Sequence, residues 1–248
     1  MVGPVLSRAE AAAERALKYR DQSARPTDRS APEQSGAPRL WTPAVRSVCT
    51  VERAAAGSKT PDRVRFEGMA SVSNNPYTMY DWLGEYEEVV AIGAGEETLA
   101  MDGLDVPLVM DHVSSRRLAR TGNASSPLLL DEVTDGDVTG LRSIAPTMDI
   151  TDPDVAYAAH KLESGLLDEM SFRFTIEAGR WSDDFTTYTI QRFNIHRGDV
   201  SIVGYGANPH TAGAGLRAAD DGGAAKRARD RAMAMSLAGD RKYARLAG

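Results

Sequence analysis

Three residues of this chain carry the side chains that serine-based acyl transfer requires: a hydroxyl at Ser171, an imidazole at His112 and a carboxylate at Asp199. In that chemistry the hydroxyl attacks a carbonyl and the imidazole removes its proton. The carboxylate fixes the imidazole tautomer and stabilises its cation. Such a set is recognised by geometry, so order and spacing along the chain are free and do not make the assignment alone. Each of the three falls on a short segment that reads as a strand. From Met170 onward, Met170, Phe172, Phe174 and Ile176 alternate with Ser171, Arg173 and Thr175. An extended strand with that pattern buries the aromatic side and presents the hydroxyl on the other. A lone serine there is ordinarily just a solvated one, and its surroundings must decide.

Other chemistries find less to build on. Four scattered histidines and the single Cys49 lack the C-x-x-C or H-E-x-x-H spacing of a metal site. No structural zinc, metal-dependent hydrolase or cofactor is expected. The absence of a G-x-S-x-G elbow removes an α/β-hydrolase reading. One cysteine permits no intrachain disulfide and suits a reducing compartment. No apolar run approaches the roughly 18 residues of a membrane helix, and no signal-peptide core opens the chain.

The elements that must position these residues read as many short strands with few helices. Strands are expected at Val64–Val72, Tyr80–Val90, Pro107–His112, Pro127–Val133, Gly140–Pro146, Phe185–Ile190 and Gly198–Gly204. The stretch from Glu96 to Met101 reads as a short helix. A longer one from Asp152 to Gly165, with Pro153 in its first turn, delivers the chain into the Ser171 strand. The pattern predicts a β-rich α+β fold: a closed antiparallel β-barrel surrounded by helices, with helical and disordered arms.

Charge separates arms from body. Residues 1–61 carry a net +4, residues 62–215 a net −14 and residues 216–248 a net +4. An acidic body argues against direct nucleic-acid binding. Residues 1–43 read as an Ala-rich helix (Leu6 to Arg20) followed by a Pro-rich disordered arm, 44–215 as the folded domain, and 216–248 as a basic helical tail. Both arms read as appendages, dispensable for chemistry.

Three motifs in this order carry a resemblance: Val109-Met110-Asp111-His112, Leu167-Asp168-Glu169-Met170-Ser171-Phe172-Arg173-Phe174, and Gly198-Asp199-Val200-Ser201-Ile202-Val203 with Ala207-Asn208-Pro209 behind it. Together with Phe66-Glu67-Gly68-Met69-Ala70-Ser71-Val72 they resemble the HK97-type prohead proteases of tailed bacteriophages, distant relatives of the herpesvirus assemblins. The resemblance spans about Arg63 to Thr211 and leaves both arms unmatched. It implies a serine endopeptidase with Ser171 as nucleophile and His112 as base. The third member of that family is usually a glutamate just before the V-S-x-V element, and here the place belongs to Asp199, one methylene shorter. A second histidine fills the role in assemblins, so His196 is the alternative. The resemblance further implies cleavage of the major capsid protein and scaffold, and of the chain itself. Ala234-Met235-Ser236 is a candidate self-cleavage site. The location implied is the host cytoplasm and then the procapsid interior, with a homo-oligomer conceivable. The rival expectation is an inactive assembly factor of the same ancestry. Among the remaining residues, Asp111 is expected to point away from His112, and Glu169 to share the face of Ser171. His160 is expected at the surface, His210 in a structural loop, and Arg173 and Arg192 stand as guesses for oxyanion donors.

Overall fold

The computed structural model describes residues 6–19, 21–31, 48–52 and 63–211. Among them lie ten strands: β1 (Val48–Glu52), β2 (Arg63–Val72), β3 (Tyr77–Asp81), β4 (Gly84–Val90), β5 (Pro107–Met110), β6 (Val113–Arg120), β7 (Leu129–Asp135), β8 (Val138–Asp149), β9 (Glu169–Trp181) and β10 (Thr187–Val203). Three helices accompany them: α1 (Arg8–Lys18), α2 (Glu96–Leu99) and α3 (Pro153–Glu163). The β-rich α+β class is observed. The basic C-terminal segment and its Ala234-Met235-Ser236 stretch, the Pro-rich run after Ala31 and the expected domain start at residue 44 lie outside the described residues.

The strands form two sheets that do not close into the expected barrel. One is antiparallel with order β1-β2-β8-β7; the other has order β3-β4-β10-β5-β6, with β9 also on β10. Nor is the second sheet wholly antiparallel. The long β10 runs parallel to β4 through Thr187–Ile190 and parallel to β5 through Val200–Ile202, while β9 follows its other edge in antiparallel register. The sequence suggested two separate strands here because the polar residues between Gln191 and Arg197 interrupt the apolar pattern. In the structure they are absorbed by register shifts at Arg192 and between Asn194 and Asp199, which bend one continuous strand. Gly198 sits in that irregularity. A Cβ on it would lie 1.9 Å from the Arg173 carbonyl oxygen, so only glycine lets the two strands meet.

Asp152 caps α3 by accepting from the Asp154 and Val155 N–H groups, with proline in the first turn, and Gly165 follows its end at φ +68°. The core gathers the apolar faces of both sheets. Phe66, Met148, Met170, Leu108, Ile195 and Ile202 are almost fully buried in it. The alternating pattern of the Ser171 strand holds at its ends, where Met170 and Ile176 are buried. Phe172 and Phe174 stack at 4.2 Å and remain partly open.

The N-terminal segment is not an appendage. Ser7 and Glu10 form a capping box, and α1 lies against β4 with Ala11, Ala12 and Arg15 buried. The small alanines allow close approach: a Cβ on Gly84 would come within 3.0 Å of that of Ala11. The fully buried Arg15 meets Asp81 in a forked pair at 2.8 and 2.9 Å and donates to the Gly84 and Glu85 carbonyls. Beyond the helix, the Gln22 and Ala24 carbonyls accept from the backbone and indole N–H groups of Trp181. Ser30 exchanges two backbone hydrogen bonds with Tyr80, at 2.8 and 2.9 Å. Residues 21–31, read from their Pro and Ser content as disordered, are therefore fastened along the sheet.

Removing a single partner from a dry ion pair leaves an uncompensated charge. We expect Arg15→Ala to lower unfolding free energy by about 3–5 kcal/mol in urea titrations. The double change Arg15→Met with Asp81→Asn should recover much of that loss. A single variant within 1 kcal/mol of wild type would show that α1 does not anchor the body.

Candidate active site

Register places the chemistry. In the β9–β10 ladder Ser171 stands opposite Ser201 and Arg173 opposite Asp199. Directly opposed residues of an antiparallel pair share a face, as do residues two apart on one strand. Ser171, Arg173, Asp199 and Ser201 therefore share one face of the sheet. On the neighbouring strands, Ser201 pairs with Val109 and Val109 with Arg117, extending the row to β6.

His112 arrives by a turn. Asp111 and His112 both adopt positive φ, 50° and 56°, between β5 and β6. The Asp111 N–H donates to the Ile202 carbonyl at 3.0 Å, and the His112 N–H to Ser201 Oγ at 2.9 Å. The turn brings His112 Nδ1 to 2.5 Å from Asp199 Oδ1. Asp199 is buried, with 7% of its side chain exposed against 25% for His112. With the proton on Nδ1 donated to Asp199, Nε2 is left as the acceptor. The second oxygen of Asp199 lies 3.7 Å from the Arg173 guanidinium.

His112 and Ser171 line one open cleft of about 580 Å³, together with Arg173, Tyr77, Phe174 and the loop after β10. Among the described residues Ser171 Oγ makes no hydrogen bond. The arrangement thus joins an oriented imidazole, a buried carboxylate and an uncommitted hydroxyl at one cleft, which is what nucleophilic catalysis by serine requires.

Other expectations fare unevenly. His196, the alternative third residue, is exposed, and its Nδ1 accepts the Asp105 N–H at 3.2 Å instead of meeting His112. Asp111 is an exposed carboxylate 3.8 Å from Arg116, and it also lines the cleft, the positive φ values at Asp111 and His112 breaking strand alternation there. Glu169 accepts the Gly206 N–H at 2.6 Å and so closes the loop after β10. His160 is exposed on α3, and His210 Nε2 lies 2.9 Å from the Pro76 carbonyl. Arg192 pairs with Glu177 and Glu97 and is not among the cleft residues, whereas Arg173 is. Burial raises the Asp168 carboxyl above its ordinary range just before β9.

Two features escaped the sequence. Ser201, fully buried, fixes the backbone of His112; its spacing of two from Asp199 was the available signal. The second is that Arg29, Ser30 and Ala31 form part of the cleft wall. Arg29 is held there by the fully buried Glu88, which accepts hydrogen bonds from Arg29, from Tyr77 at 2.5 Å and from Tyr86 at 3.1 Å. Burial, reinforced by Glu88, pushes both tyrosine hydroxyls well above their ordinary range, so they stay neutral and donate. No motif marks that network in the sequence. A dispensable N-terminal arm does not fit a cleft it helps to build.

A family model described as caudovirus prohead serine protease matches residues 51–221, and the chain belongs to that family. No curated protein and no solved structure matches it. The match encloses His112, Ser171 and Asp199 and leaves the cleft-lining residues 29–31 outside.

Ser201→Ala should leave the His112 N–H without its acceptor and cost about 1–3 kcal/mol in urea unfolding. A chain lacking residues 1–31 strands Asp81 and Glu88 in the body, and should be less soluble and lose cleavage of casein. Full activity in that truncated chain would return the arm to the status of an appendage.

Proposed function

We propose that this member of the prohead serine protease family cleaves capsid and scaffold proteins inside an immature phage shell, using Ser171, His112 and Asp199. The observation that carries the reading is the 2.5 Å contact between His112 Nδ1 and Asp199 at a cleft that Ser171 shares. Ser171 Oγ attacks the scissile carbonyl while His112 Nε2 takes its proton, giving a tetrahedral oxyanion. The imidazolium returns that proton to the departing amine, and an acyl-enzyme ester remains on Ser171. Water, deprotonated by the same nitrogen, then attacks the ester and releases the new carboxylate and the free serine. Asp199 keeps the Nδ1–H tautomer and stabilises the imidazolium formed in each half. Being shorter than the glutamate usual in the family, it depends on the turn at Asp111–His112 to bring the ring to it.

The reading includes self-cleavage, residence in the host cytoplasm followed by packaging within the procapsid, and action without a cofactor. The inactive assembly factor has no observation in its favour, since a hydroxyl, an imidazole and a carboxylate stand at the three positions and the last two already touch.

Co-expression with the coat protein, followed by mass analysis of fragments, tests the assignment. Ser171→Ala should abolish cleavage and labelling by a fluorophosphonate, and Asp199→Asn should lower turnover by about 10⁴-fold. Asp199→Glu should retain activity. Coat cleavage by Ser171→Ala at the wild-type rate would overturn the nucleophile. Full activity in Asp199→Asn with none in His196→Ala would transfer the third role to His196.

A further inference from the structure

A second cleft, of about 260 Å³, opens beside the first on the far side of Asp199. Four arginines line it: Arg117 and Arg120 from β6, Arg173 from β9, and Arg197 from the bulge of β10. The register explains the gathering. Arg117 pairs with Val109 and Arg120 with Pro107, and Arg173 lies opposite Asp199, all on the face that bears Ser171. Arg197 is fixed at φ +61°, its N–H donating to the Asp105 carbonyl at 2.8 Å.

The carboxylates present do not balance these charges. Asp105 is taken by Arg120, which forks onto it at 2.6 and 2.7 Å. Asp199 is shared between His112 and Arg173. Arg117 uses its Nε on the Ser114 carbonyl at 2.8 Å, leaving its terminal nitrogens open to the cleft. Hydrogen bonds from Arg120 lead the effects that hold Asp105 below the usual carboxylate range, and Arg197 and His196 add to them. The site is thus electropositive within a body segment whose net charge is −14.

Arg173 lines both clefts, so a peptide lying past Ser171 passes over it into the arginine cleft. We propose that this cleft is a specificity subsite that receives an acidic side chain, Asp or Glu, of the protein substrate at a fixed distance from the scissile bond. The proposal rests on the protease reading above. Arginine suits it because its planar fork binds a carboxylate through two hydrogen bonds.

Cleavage profiling of a proteome-derived peptide library by the full chain tests it. Wild type should enrich Asp or Glu at one position relative to the cut bond. For a matched pair of fluorogenic peptides with Glu or Gln there, kcat/KM should favour Glu about tenfold or more, and less so in 1 M salt. In Arg117→Ala with Arg197→Ala that ratio should fall to near one, and Arg197→Glu should shift enrichment toward Lys or Arg. A wild-type profile without acidic enrichment, or enrichment unchanged in the double variant, overturns the subsite alone. A library cut no faster by wild type than by Ser171→Ala overturns the protease reading and the subsite with it.

Discussion

The antiparallel ladder between β9 and β10 is the constraint on which the site depends. It sets Ser171 against Ser201 and Arg173 against Asp199, so Ser171, Asp199 and the serine that holds the His112 backbone occupy one face. A slip of one residue would send Ser171 and Arg173 to the core side and bring Met170 and Phe172 out. Two features oppose it. Met170 is completely buried, and Gly198 admits the Arg173 carbonyl at a distance no side chain would tolerate. Apolar burial and a steric key therefore fix the same register.

The turn at Asp111–His112 adds the third group at some cost in backbone strain. Residues other than glycine are uncommon at positive φ, although Asp and His are among those that tolerate it better. Here two consecutive residues do so, and their N–H groups are satisfied by Ile202 and Ser201, both on β10. The strand that carries Asp199 thus also dictates where the imidazole backbone sits. Because one rigid strand supplies the carboxylate and both anchors, the 2.5 Å contact does not depend on a mobile loop.

What the sequence revealed was local. The alternation from Met170 to Ile176, the cap and proline of α3 and the apolar run of β5 all express short-range rules, and the structure contains each of them. The motifs also pointed to Ser171, His112 and Asp199; Ser171 and His112 line one cleft, and Asp199 touches His112. Barrel closure, in contrast, was inferred from a count of strands, and strand count does not determine which edges pair. β10 serves β4 and then β5 in parallel, a pairing that joins residues about one hundred positions apart and leaves no local trace. β6 was missed because Ser114, Ser115, Arg116 and Arg117 look like a polar loop. They belong to an exposed strand from which Arg117 and Arg120 line the second cleft.

The N-terminal segment was misread for a related reason. Low apolar content signals disorder only when a segment must fold by its own burial. Arg15, Arg29 and the Ala24 carbonyl instead satisfy charges and an N–H group that the body has already buried: Asp81, Glu88 and the Trp181 indole. Their contribution to stability comes from relieving desolvated groups, and composition does not register it. The same logic explains why they belong to the cleft. The fully buried Glu88 accepts from Arg29, and Arg29, once drawn onto Glu88, brings Ser30 and Ala31 into the wall of the cleft that Ser171 lines. Fold and cleft are therefore joined through one buried carboxylate lying outside every motif that pointed to Ser171, His112 and Asp199.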